Sequence, residues 1–364
     1  MVTTLNQYKP DYSVPPGWIL EEYLETLGIS HAEFARRCGR SPKLISEIIS
    51  GKASLEPKTA LQFEKVLDLD ASIWLGIESN YRLHQARKVE EEIAKEYSEW
   101  EKSFPIRELV NRGDIQKPES NADAVSKLLA FFGVASIDAW ITRYAAVNVA
   151  YRHSKSFESN EEALATWLRI GELEAERQEC EDYNESHFKD AVGEIRGLTR
   201  EPIEKALQHA IELCNQAGVA LVLVRPFPRT ALSGAARWLS PRKAVIQLSA
   251  RHKSDDHLWF SFYHEAAHIL LHSKKEIFVD ANGNGNADIE EDADNWASKT
   301  LIPRTEWARF VTVSLFTKKA VETFAEEQGI APGIVVGMLQ HEEFLPWGSR
   351  LNGLKVRLEW TDAA

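Results

Sequence analysis

Apolar positions along the chain fall into two regimes. Up to about residue 215 they recur three and four apart, as in LLAFFGV, DAWITRYAAV and EEALATWLRIGELEAE, which places them on one face of a helix. After that point VALVLV and KAVIQLS read as short strands, followed by an amphipathic helix from about Asp256 to His272. The pattern predicts a mainly α chain with an α+β carboxy-terminal domain, in which a small sheet packs on that helix. Four regions separate by texture. Residues 1–85 are short helices punctuated by Gly28, Gly39, Gly51 and Pro57. Residues 86–104 are a charged helical connector, 105–215 a helical middle region, and 216–364 the mixed domain.

The segment from His31 to Ser50 (HAEFARRCGRSPKLISEIIS) has the helix-turn-helix pattern. Ala35 is small enough for a close helix approach, and Gly39 suits a turn that needs positive φ. Ile45 and Ile48 supply the apolar lock. Ser41 is a good N-cap and Pro42 a good first helical residue, so the second helix is expected to begin there. Arg40, Ser41, Lys43, Ser46, Glu47 and Lys52 then form the expected DNA-facing set. Lys43, Ser46 and Glu47 are placed at base edges, and Arg40 and Lys52 at phosphates.

Charge sharpens this picture. The net charge of −12 argues against a protein that coats nucleic acid without selectivity. Between Arg36 and Lys52, however, five basic residues face the single acid Glu47. Cys38, Cys180 and Cys214 are odd in number and far apart, which suits core thiols in a reducing, cytoplasmic compartment. Neither a signal peptide nor a membrane span is expected.

The strongest chemical signal is His264-Glu265-Ala266-Ala267-His268. Two histidines at i and i+4 share a helix face about a metal's span apart, and the glutamate between them can accept a proton from an attacking water. A third histidine ten residues after the first is ruled out, because Lys274 stands there and Leu271 replaces the required glycine. The third ligand then comes from the next helix. Glu290, with Asp294 one turn on to orient a histidine ring, is the favoured register, and Glu291 with Asn295 is the competing one. His272 is expected to pack or to support a ligand. The strand Val245–Leu248 is expected to offer an edge to an extended substrate. A weaker pattern, DANGNGNADIEE, gives Asp280, Asn282, Asn284, Asp288 and Glu291 the spacing of a calcium loop, though a plain Asn/Gly surface loop fits as well.

Two resemblances follow from these motifs. PPGWILEEYLETLGIS and the run after Ser50 resemble the Cro/repressor-type domain of HigA-like antidote proteins. That implies a five-helix domain, a homodimer through the helix-turn-helix region and a double-stranded DNA operator. Val245–His272 with EEDADNWASKTLIP resembles the ImmA/IrrE-type metallopeptidases, and GIAPGIVVGMLQH resembles their closing helix. FPIRELVNRGDI and FFGVASIDAW resemble the middle region of longer members. The resemblance implies a zincin-like domain with His264, His268 and Glu290 as zinc ligands and Glu265 as general base, acting on a regulatory protein such as a repressor. Asp294, Trp296, Ala297, Leu301 and Pro303 match the rest of the motif, whereas Asp292 and the Ala266-Ala267 pair depart from it. The alternative expectation is an antitoxin-like repressor whose metal domain senses or binds a partner without cutting it.

Overall fold

The short amino-terminal helices are α1 (Pro16–Leu27), α2 (His31–Cys38), α3 (Pro42–Ile49), α4 (Pro57–Leu67) and α5 (Ala71–Glu96). The computed structural model describes residues 13–152, 161–228, 230, 232–272, 278–280, 287–312 and 315–360. One unit takes in the chain up to Ser98 together with Ser120–Val125; the other takes in Glu99–Glu119 and the chain from Ser126 onward. In the first unit Leu20, Phe34, Ile45, Phe63 and Trp74 are fully buried. Phe63 stacks edge-on to Phe34 and Trp74, with ring centres 4.9 and 5.6 Å apart. Gly39 ends α2 at φ 63°, and Ser41 caps α3 by accepting from Leu44 N at 3.1 Å.

The middle of the chain is helical, as its spacing predicts: α6 (Ser98–Glu101), α7 (Ile106–Arg112), α8 (Asn121–Phe132), α9 (Ile137–Arg152), α10 (Glu161–Arg177), α11 (Glu185–Leu198) and α12 (Ile203–Gln216). The mixed domain then follows with β1 (Val219–Leu223), β2 (Gly234–Ser240), β3 (Lys243–Leu248), α13 (Asp255–Leu271) and β4 (Phe278–Asp280). It closes with α14 (Ala287–Leu301), α15 (Arg304–Thr312), α16 (Lys318–Gln328) and α17 (Pro332–His341).

The strands lie in the order β1-β3-β2-β4, with β1 parallel to β3 and the other two pairings antiparallel. This corrects one expectation. Val245–Leu248 lies in β3, whose backbone is paired with β1 on one side and β2 on the other, so it has no edge to offer. The outer strands of the described sheet are β1 and β4.

Alternation along the strands buries both faces. Val219, Leu221, Ala236, Ala244, Ile246 and Leu248 join a core with Leu258, Trp259 and Phe262 of α13. Ala220, Val222, Ala235 and Val245 join a second core with Trp167 and Leu168 of α10. Each fully buried leucine or phenylalanine contributes roughly 1.5–3 kcal/mol by leaving water. The buried Arg237 of β2 ties the sheet to α10, donating to Gln247 Oε1 at 3.0 Å and Leu168 O at 2.6 Å.

Helix α13 is buried on nearly every side, enclosed by its neighbours. Its start is held by the carboxy-terminal segment. Asp255 N donates to Val356 O at 3.0 Å, Val356 N donates to Asp255 Oδ1 at 2.9 Å, and Lys355 Nζ pairs with Asp256 Oδ2 at 2.6 Å. Among the described residues, no single helix is long and apolar enough to cross a membrane.

Candidate metal centre

His264, Glu265 and His268 sit in the middle of α13 with 4, 0 and 1% of their surface exposed. Buried polar groups at that depth require partners, and α14 supplies them for the two histidines. Its Ala293, Ala297 and Leu301 are fully buried, which turns the same side of the helix, carrying Glu290 and Asp294, toward α13. His264 Nε2 lies 3.1 Å from Glu290 Oε2 and 3.1 Å from His268 Nε2. The third separation, His268 Nε2 to Glu290 Oε2, is 3.8 Å.

The outer ring nitrogens have their own partners. His264 Nδ1 is 2.8 Å from Asp294 Oδ1, and His268 Nδ1 is 3.0 Å from His272 Nδ1. With a metal bound, an Asp294 carboxylate accepting from Nδ1–H of His264 would leave the Nε2 lone pair of that ring for the ion. Burial would raise the Glu290 carboxyl, but hydrogen bonds from His264 and His268 outweigh it and hold the group down at about 2. His268 is pushed below its ordinary range, chiefly by burial. The cluster therefore brings a carboxylate oxygen together with two imidazole rings.

These residues fit a zinc ion. Bonds of about 2.0–2.2 Å at tetrahedral angles place ligand atoms roughly 3.3–3.6 Å apart, close to the three separations found. Both histidines also carry the outer-sphere contacts that ligating imidazoles use. Among the described residues this is the one group of three or more His, Cys, Asp or Glu able to hold a metal. Glu291, the competing register, is exposed, whereas Glu290 is half-buried against the histidines. Of the calcium-loop residues, Asn282 and Asn284 lie outside the described residues. Asp280 ends β4, and Asp288 and Glu291 are exposed on α14.

A residue the motif does not reveal lies behind Glu265. Gly234 opens β2, and a Cβ there would stand 2.8 Å from Glu265 Cγ. The signal in sequence is only a glycine opening the run GAARWLS, which carries no clear alternation.

In the amino-terminal unit, Ser41, Lys43, Ser46 and Lys52 are exposed on and beside α3. Glu47 is half-exposed and 3.7 Å from Lys43 Nζ. Arg40 is half-buried, its Nε donating to Gln62 Oε1 of α4 at 2.5 Å. Gln62 thus holds the Arg40 guanidinium beside α3, a support that sequence reasoning missed.

Comparison with known proteins meets this geometry at both ends. The helix-turn-helix family model matches residues 20–74, and Peptidase_M78, the IrrE N-terminal-like domain, matches residues 217–326. The chain belongs to the helix-turn-helix family and carries an M78-type peptidase domain. It is 34% identical over 73 residues to YddM, an uncharacterised HTH-type transcriptional regulator of Escherichia coli strain K12, covering 20% of this chain and 78% of that one. Virulence-associated protein I of Dichelobacter nodosus is 33% identical over 82 residues, covering 22% of this chain and 76% of that one. A solved addiction module antidote protein of a HigA family from Coxiella burnetii is 25% identical, covering 23% of this chain and 91% of that one at a TM-score of 0.22. The helix-turn-helix match runs from Leu20, within α1, through α2, α3 and α4 to the first turn of α5. The peptidase match takes in the sheet, α13 and α14.

Proposed function

We propose that the chain is an operator-binding regulator that also cuts a regulatory protein, such as a repressor or antitoxin-like partner, with a zinc-dependent endopeptidase domain. In this reading residues 1–85 read DNA as a homodimer, 86–104 connect, 105–215 form the middle region and 216–364 cut. The observation that carries it is the convergence of His264 Nε2, His268 Nε2 and Glu290 Oε2 within 4.8 Å of one another, beside the buried Glu265.

His264, His268 and Glu290 would hold the ion. Zinc held there supplies Lewis acidity toward a peptide carbonyl and makes water a stronger acid. Glu265 takes the proton from the attacking water and returns it to the leaving amine. Asp294 and His272 keep the two rings turned inward, so the ligand atoms need no rearrangement. β4, an outer strand of the described sheet, is the element beside β2 along which an extended peptide could pair. On the DNA side, Lys43, Ser46 and Glu47 stand where base edges are read, while Arg40 and Lys52 address phosphates.

The test is a comparison of new protein termini generated in a cell extract by the zinc-loaded protein and by Glu265→Gln. New termini made by the wild type and absent with the variant support the peptidase. Identical terminus profiles would sink it and leave a partner-binding metal domain.

A further inference from the structure

The turn between β3 and α13 places Arg251 and His252 between Ala250 at φ 46° and Lys253 at φ 53°, two non-glycine residues in the left-handed region. Backbone of that kind persists where its surroundings fix it, ligand clamps among them. The turn walls a cavity of about 10 Å³, room for one particle the size of a water molecule. Ser233 and Ser249 reach it from the ends of β2 and β3, and His257 and Ser261 from α13.

Among the described residues, this lining contains no carboxylate. The acids next to it in sequence are already engaged. Asp255 accepts from Val356 N at 2.9 Å, and Asp256 pairs with Lys355 and accepts from Ser254 Oγ, both at 2.6 Å. Donors, in contrast, are in excess. Arg251 Nη1 is buried with no hydrogen-bond partner among the described residues, and a buried guanidinium nitrogen calls for an acceptor. Ser249 donates to Leu232 O and Ser254 to Asp256, which leaves the hydroxyls of Ser233 and Ser261 as further donors. His257 stacks on His252 with ring centres 4.1 Å apart. Burial, then the charges of His257 and Arg251, push His252 down to about 4, so the positive field is felt across the turn. A neutral water would leave that charge unbalanced. One monatomic anion balances it and accepts from the donors, whereas a tetrahedral oxyanion exceeds the space.

We propose that this cavity is a halide site, in which one chloride accepts from Arg251 Nη1 and from the hydroxyls of Ser233 and Ser261. Ser233 precedes Gly234, the wall behind Glu265, and Ser261 lies one turn before Glu265 on α13. An ion bridging the two serines ties β2 to α13 at the base of that wall. The site holds whether or not the neighbouring centre cuts peptides.

The test is crystallography of the full, zinc-loaded chain grown with bromide in place of chloride. Anomalous scattering locates the ion and separates it from any halide on the zinc. One bromide peak within hydrogen-bond reach of Arg251 Nη1 is expected. In solution, replacing gluconate by chloride at constant ionic strength should raise Tm by about 2–4 °C. Arg251→Gln should abolish that gain, and Ser261→Ala, which removes only a hydroxyl, should lower it and keeps the test decisive if Arg251→Gln does not fold. No peak at Arg251, a peak at the zinc alone, or a full gain in both variants would overturn the site. A peak without a Tm response means an adventitious ion only and overturns it as well.

Discussion

Gly234 backs Glu265: a Cβ at Gly234 would stand 2.8 Å from Glu265 Cγ and 2.9 Å from its Cδ. The β2 backbone thus forms the wall against which this fully buried carboxylate rests, one residue from the first histidine. Position, not identity alone, is what a proton acceptor needs, and a misplacement on the order of 1 Å costs about 100-fold in rate.

Gly234→Ala should therefore keep zinc and lose turnover. The expected result is unchanged metal content with peptidase activity down by at least ~10-fold. Full activity in this variant would show that Glu265 does not depend on the β2 wall.

The packing of α1 on α3 depends on a second close approach. A Cβ at Gly17 of α1 would stand 2.6 Å from the backbone carbon of Ile49, at the end of α3. Gly17→Ala should push these helices apart and cost about 1–3 kcal/mol of local stability. Hydrogen exchange should speed up in α1 and α3 and stay unchanged across α13 and α14. Uniform protection in both would contradict this packing.

On DNA, the proposed contacts of α3 and its flank are expected to divide by role. Lys43→Ala or Ser46→Ala should change which operator is preferred, by about 1–3 kcal/mol at the base concerned. Lys52→Ala should weaken all sequences alike and lower the salt slope by about one. Binding assays across salt concentrations with randomised operators separate the two. A Lys52→Ala variant with altered preference and an unchanged salt slope would reverse the assignment.

Stability should also respond to pH through Asp255. Burial raises its carboxyl to about 6, although the hydrogen bond from Val356 N acts the other way. A folded value above the unfolded one, about 3.9, means the contribution is complete below the unfolded value and is lost as pH rises through about 6. Asp255→Asn should therefore raise Tm relative to the wild type at pH 7.5, with the gap closing toward pH 4.5. A gap independent of pH would contradict the raised value.

How much was legible in the sequence differs between the two ends of the chain. The turn at Gly39 and the cap at Ser41 are local, so residue type alone places α2 and α3. The His264/His268 pair is equally local, because i and i+4 share a helix face wherever that helix lies. Glu290 against Glu291 was not settled by spacing, since either fits one turn of α14; burial of the Ala293, Ala297 and Leu301 side distinguishes them. β2 escaped notice because its Arg237 is buried by partners on α10 and β3, far away in sequence. The interior place of β3 was hidden for a related reason. Strand order is set by the parallel pairing of β1 with β3 and the insertion of β2 beside it, neither of which leaves a local mark.

The most direct measurement is elemental analysis of the purified chain beside Glu290→Gln, Glu291→Gln and Glu265→Gln. About one zinc per chain is expected, kept in Glu291→Gln and Glu265→Gln and lost in Glu290→Gln. A wild type that holds no zinc after metal-replete purification, or a Glu290→Gln variant that keeps it, would contradict the proposed ligand set.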